Sequence, residues 1–131
     1  VVDVGNPHLT CVIDRPVADL DLATQPGYDH ELFPNGVNVE FLNEPSSDVL
    51  RMRVYERGVG ETRCCGTGTV AAVAAAVHLA GRTEGRRTVL VPGGQVLVTV
   101  DEHDSTLTGP AVLLATGELN ADWWADAAKQ H

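Results

Sequence analysis

Two adjacent cysteines, Cys64 and Cys65, stand where the run Arg53-Val-Tyr-Glu-Arg-Gly-Val-Gly-Glu-Thr-Arg63 gives way to Gly66-Thr-Gly68 and an alanine-rich stretch. A glycine-rich turn that opens a helix leaves backbone N–H groups unpaired and presents the positive end of the helix dipole. Such surroundings favour thiolate over thiol, so a cysteine there is expected to act as a base or nucleophile near neutral pH. The plain alternative is an inert buried thiol, the ordinary state of free cysteine. Neighbouring side chains diverge in regular backbone, so only one of the pair can face a given site, and Cys65, beside the glycines, is the candidate.

Other polar residues interrupt the apolar pattern. Asn6, Pro7 and His8 follow Gly5 just before a strand, where turn chemistry alone accounts for Gly-Asn-Pro and leaves His8 as a partly exposed strand residue. Glu40 and Glu56 lie in strand-like surroundings, and an exposed ion pair would explain Glu56 followed by Arg57. Arg53, Arg57 and Arg63 crowd the cysteine run, so a local positive field could draw in a carboxylate. A metal site fits poorly, because no Cys-x-x-Cys pair is present and His8, His30, His78 and His103 show no ligand spacing. Gly66-Thr-Gly68 lacks the Gly-Lys-Ser/Thr ending of a P-loop.

The elements that must hold these residues are mostly strands. Alternating or β-branched stretches recur at Leu9–Asp14, Val37–Leu42, Val49–Tyr55, Thr88–Val91, Gln95–Val100, Thr106–Thr108 and Ala111–Ala115. Turn signals separate them at Pro34-Asn-Gly36, Glu44 to Asp48, Pro92-Gly-Gly94 and His103-Asp-Ser105. A helix is predicted from Thr67 to Leu79, free of charged residues and closed by Gly81. Apolar on every side, it is expected to be enclosed. Shorter helices are predicted near Val17–Ala23 and Ala121–Ala128, the latter with Asp122 in its first turn and one ring of Trp123-Trp124 packed down. The expected fold class is α+β, with antiparallel strands curled around a central apolar helix.

At 131 residues the chain fits one domain able to bury a core without disulfides or structural metal. It starts with Val and reads at once as strand, so it is expected to be a piece of something longer. A formal charge of -9 argues against nucleic acid and anionic membranes and favours a small substrate. The longest apolar run, Val70 to Val77, is too short to span a bilayer. Three cysteines without a regular framework suit a reducing compartment, and the protein is expected to be cytoplasmic.

Taken together, Gly5-Asn-Pro-His8, Gly36-Val-Asn-Val-Glu-Phe41, Tyr55-Glu-Arg-Gly-Val-Gly-Glu-Thr62 and Cys65-Gly-Thr-Gly68, with Val91-Pro-Gly-Gly94 and Asp122-Trp-Trp124, resemble the carboxy-terminal half of diaminopimelate epimerase. The resemblance implies an isomerase that needs no cofactor and interconverts LL- and meso-diaminopimelate on the route to lysine. Its fold would be two similar halves around a substrate cleft, each supplying one cysteine. Cys65 resembles the cysteine assigned as proton acceptor, and His8 and Glu56 the pair that tunes thiol acidity. Asn6, Asn38 and Arg57 resemble contacts to the distal end of the substrate, to which backbone groups of Glu56 and Arg57 would add. Gly66 and Thr67 would offer N–H groups to its carboxylate. The amino-terminal half is expected to be the missing partner, a homodimer is left open, and the 131 residues alone are expected to be inactive. Cys64 departs from the family pattern, which more often has a small non-thiol residue there. Two other readings stand beside this one: a proline racemase-like isomerase of the same fold, and a non-catalytic amino-acid-binding or interaction domain.

Overall fold

The computed structural model describes residues 1–127. Eight strands form one sheet: β1 (Val2–Asp3), β2 (Pro7–Val12), β3 (Asn38–Asn43), β4 (Val49–Glu56), β5 (Gly60–Thr62), β6 (Gly85–Val91), β7 (Gly94–Val100) and β8 (Ser105–Thr108). The order is β1-β2-β3-β4-β6-β7-β8, with β5 folded back on the end of β4. The sheet curls around one helix, α1 (Gly66–Leu79), which touches every strand on that path. This is the expected α+β architecture. The sheet is mixed, however, rather than wholly antiparallel: β2 runs parallel to β3, and β4 parallel to β6. A parallel neighbour requires a crossover connection. Here α1 itself is the crossover between β4 and β6, and the segment between Val12 and Asn38 connects β2 to β3.

Small side chains let α1 sit this close to strands. Ala71 is buried, and Ala72, Val73, Ala76 and Val77 pack with Leu42, Leu50, Met52, Val54, Val89 and Val98 in the main core. The approach is close at Gly85, where a Cβ would lie 2.6 Å from Val77 Cγ2. The helix ends in a Schellman turn, with Gly81 at φ +68 donating to His78 O and Arg82 N to Val77 O. Enclosure is incomplete. Val70, Ala74 and Ala75 remain half-buried, because no pairing among the described residues joins β1 to β8.

Three local expectations change. Val17–Ala23 forms only a short 3-10 turn, Val17–Asp19, before the chain extends. Arg53 captures the carbonyls of Val17, Ala18 and Leu20, and Leu20 and Leu22 are buried with Val17 against Ile13, Phe41 and Tyr55. Ala111–Ala115 finds no ladder partner among the described residues, and Val112, Leu113 and Leu114 are exposed. The last helix, α2 (Ala121–Ala127), starts at the Asn120 cap, but both Trp123 and Trp124 are exposed, so neither ring packs down. Residue 128, the end of the expected helix, lies outside the described residues.

Candidate active site

Cys65 is the N-cap of α1, in extended backbone at φ -125, ψ 117. Its sulfur accepts from Gly68 N–H at 3.4 Å and lies 3.5 Å from Thr67 Oγ1. Its carbonyl accepts from both the N–H and the hydroxyl of Thr69, at 2.9 and 2.6 Å. The loop before it is pinned from outside, since Gly93 N–H of the β6–β7 turn donates to Arg63 O at 2.8 Å. Gly66 and Thr67 remain exposed, and their N–H groups, the first two of the helix, meet no acceptor among the described residues. They border a depression of about 370 Å³ that Val4, Val70, Ser105 and Leu107 complete.

The sulfur itself is less open than its position suggests. Cys65 is only 8 % exposed and belongs to the main core cluster. Burial pushes its thiol above the ordinary cysteine value; hydrogen bonds from Thr67 and Gly68 oppose this, and the carboxylates of Glu56 and Glu40 add to it. The expected preference for thiolate is therefore reversed in this state, because desolvation penalises the anion more than two hydrogen bonds favour it. Cys64 faces outward and is exposed.

His8 is fully buried, not the partly exposed strand residue that turn chemistry implies. Its Nδ1 lies 2.6 Å from Glu40 Oε1, and its Nε2 lies 3.1 Å from Asn6 Oδ1. Glu40 reaches the underside of the α1 mouth, since a Cβ on Gly68 would stand 2.6 Å from Glu40 Oε1 and 3.3 Å from Cys65 Sγ. Asn6, His8, Glu40 and Cys65 are thus one connected cluster drawn from β2, the turn before it, β3 and α1.

Asn38 and Arg57 form an adjoining group. Asn38 pairs in register with His8, accepts Arg57 N–H on Oδ1 at 2.9 Å and donates to Pro7 O at 3.4 Å. Arg57 is exposed, and its Nη1 donates to the carbonyls of Asn35 and Gly36. Glu56 accepts the Thr62 hydroxyl. The expected positive field is largely engaged by the chain itself: Arg53 forks onto Glu61 at 2.6 and 2.9 Å, and Arg63 reaches Pro92 O.

Glu40 and Gly68 were not among the sequence-derived site residues, yet both touch the cluster. A signal for Glu40 was present. Asn38, Glu40 and Leu42 are in phase along β3, and Leu42 is fully buried in the α1 core, so a carboxylate sits on an inward-facing row.

The model of the family described as diaminopimelate epimerase matches residues 1–118. The chain belongs to the diaminopimelate epimerase family. It is 56 % identical over 128 residues to diaminopimelate epimerase from Mycolicibacterium gilvum (strain PYR-GCK), covering 95 % of this chain and 44 % of that protein. The diaminopimelate epimerase of Mycobacterium tuberculosis (strain ATCC 25177 / H37Ra) is 54 % identical over 127 residues, covering 94 % and 44 %. The chain thus spans less than half the length of the curated diaminopimelate epimerases it matches. Among solved structures, a phenazine biosynthesis PhzC/PhzF-type protein from Clostridium difficile (strain 630) superposes with a TM-score of 0.51 at 21 % identity, over 72 % of this chain and 34 % of that one. That likeness concerns the fold alone. No described helix is long and apolar enough to cross a membrane.

Proposed function

We propose that this chain is one half of a cofactor-independent epimerase that interconverts LL- and meso-diaminopimelate, and that Cys65 is one of its two opposed proton-transfer groups. The observation that carries the reading is the Cys65 sulfur at the N-cap of α1, directly beside two N–H groups open to a ligand. Inverting a stereocentre takes an acid and a base on opposite faces of one carbon, and a single thiol supplies one of them. The helix mouth at Gly66 and Thr67 would hold the substrate carboxylate and stabilise charge as the α-proton leaves. Burial keeps Cys65 protonated at rest, which suits the acid in one direction of a reversible reaction. In the other direction it accepts a proton, helped by Thr67 and Gly68 and opposed by Glu56 and Glu40.

Asn6, Asn38 and Arg57 would form the distal end of the substrate site, with Arg57 turning from its loop carbonyls to a carboxylate that its planar fork suits. His8 and Glu56 would tune the thiol. An amino-terminal half would supply the second thiol and the facing cleft wall, and three free cysteines suit a cytoplasmic setting.

The test is exchange of the diaminopimelate α-hydrogen with solvent deuterium by the full-length protein, compared with Cys65→Ala. Loss of turnover in the variant is expected, and normal epimerisation by it would remove Cys65 from the mechanism. The 131-residue chain alone is expected to invert nothing. A non-catalytic amino-acid-binding domain is the second reading, favoured by the burial of Cys65. It predicts binding without exchange.

A further inference from the structure

Glu40 is the buried carboxyl for which that mechanism has only an opposing role. It is fully buried, its Oε1 is held by His8, and its Oε2 has no hydrogen-bond partner among the described residues. An isolated carboxyl in such a place weakens a fold, so its presence calls for a task. Its geometry indicates one. Asn6 Oδ1 faces His8 Nε2, so that nitrogen carries hydrogen, and the Nδ1–Glu40 contact then holds one further proton. Whether that proton rests on the ring or on the carboxyl, the imidazole plane is fixed. The same Oε1 crowds the point where a Gly68 Cβ would also meet the Cys65 sulfur.

We propose that Glu40 is a positioning residue of the site: it holds the His8 ring against Asn6 and, when ionised, sets a carboxylate charge across the Gly68 position from the Cys65 sulfur. Its consequence for turnover rests on the epimerase reading; its effect on the sulfur does not. The groups that face this sulfur and carboxyl are His8 and, in register with Glu40, Thr10 from β2, Glu56 from β4, itself bonded to Thr62 of β5, and Thr67 with the Gly68 N–H from α1; Cys11 lies on the opposite face of β2 and feels the Glu40 charge through the sheet. Of these, Glu40 and Glu56 oppose ionisation of Cys65.

Two isolated changes separate the two parts of the role. Glu40→Gln keeps the length and an oxygen for Nδ1 but removes the charge; Glu40→Asp keeps the charge and loses the reach. In the full-length protein with Cys64→Ser, so that alkylation reads unambiguously, the pH midpoint for iodoacetamide labelling of Cys65 is measured by peptide mass spectrometry. Glu40→Gln is expected to move it down, in the direction set by removing one of the two carboxylates that raise the thiol, whereas Glu40→Asp leaves it nearly in place and raises the KM for diaminopimelate instead. An unmoved midpoint in folded Glu40→Gln overturns the proposal. The unaltered protein gives a second reading that needs no variant. With histidines labelled with nitrogen-15, His8 is expected to show an exchange-protected, downfield Nδ1 proton, and its absence also overturns the proposal. Alkylation reports on the sulfur whether or not the protein epimerises. Failure here and failure of Cys65→Ala to stop exchange are therefore separate results.

Discussion

Gly68→Ala sets a helix propensity against a crowded site. In a helix interior alanine is favoured over glycine by about 1 kcal/mol, so propensity alone predicts a more stable protein. At this position the new methyl would lie 2.6 Å from Glu40 Oε1 and 3.3 Å from both Glu40 Cδ and Cys65 Sγ. The carboxyl must swing away, and it is bonded to a fully buried histidine. A charge-assisted hydrogen bond contributes about 1.5–3 kcal/mol, and overpacking a filled core costs about 1–3 kcal/mol. Since those losses outweigh the propensity, the net effect should be a destabilisation of about 1.5–5 kcal/mol. For a domain of this size that lowers Tm by about 4 °C per kcal/mol. Urea and thermal melts followed by circular dichroism measure it. Gly66→Ala is the control, since its Cβ would meet nothing within 4 Å. A Glu40→Ala background then isolates the cause, because with the carboxyl gone the cost of the Gly68 change should largely vanish. A Gly68→Ala protein that melts at or above the parent, or an equal cost in both backgrounds, would refute the argument.

Three further outcomes are expected. Gly36→Ala should cost about 1–2 kcal/mol, since φ is +81 there and the methyl would strike Arg57 Cδ at 2.9 Å; in the full-length protein KM should rise with it, and an unchanged KM would separate Arg57 from substrate. Arg53→Ala should lower stability by about 2–4 kcal/mol, because the Glu61 fork and three carbonyl contacts are lost together; protease cleavage between Val17 and Ala23 should accelerate, and an unaltered cleavage rate would count against the clamp. The last outcome concerns pH. Burial raises the Cys11 and Cys65 thiols above 9.0, so their share of stability is complete below the unfolded value and is lost as pH climbs through the folded one. Urea midpoints should fall as pH rises above about 9, and less steeply in a Cys11→Ala/Cys65→Ala protein; identical slopes would show that the thiols play no part.

The fold was legible where residues carried a local signal. Thr67 to Leu79 could hardly be anything but an enclosed helix, and it forms from Gly66 to Leu79. Gly94–Val100 and Val49–Glu56 match their alternation to within a residue or two. Pairing direction was not legible, because alternation reports which face is buried and is silent on the neighbour's polarity. Val17–Ala23 misled for another reason. Its carbonyls are captured by Arg53, some thirty residues away, and no window of local sequence contains that contact. Ala111–Ala115 has strand composition, but a strand exists only beside a partner, and none of the described edges takes it.

The candidate site was legible by type and not by environment. Cys65 at a helix start was correctly placed, yet the chemistry inferred from that place ran the wrong way. A helix N-terminus favours an anion by about 0.3–1 kcal/mol, at most about 2, whereas full burial can shift an acid by several pH units. Position in sequence reveals the first term and hides the second. With the sulfur only 8 % exposed and two carboxylates near it, burial wins, and the resting group is a thiol. On the proposed epimerase reading, that group would have to accept as well as donate, so a bound substrate would have to offset the penalty. A ligand cation beside the half-buried Glu56 would offset part of it, whereas Glu40, fully buried and held by His8, is out of a ligand's reach. Glu56, which hinders ionisation of Cys65, would then make it conditional on the ligand.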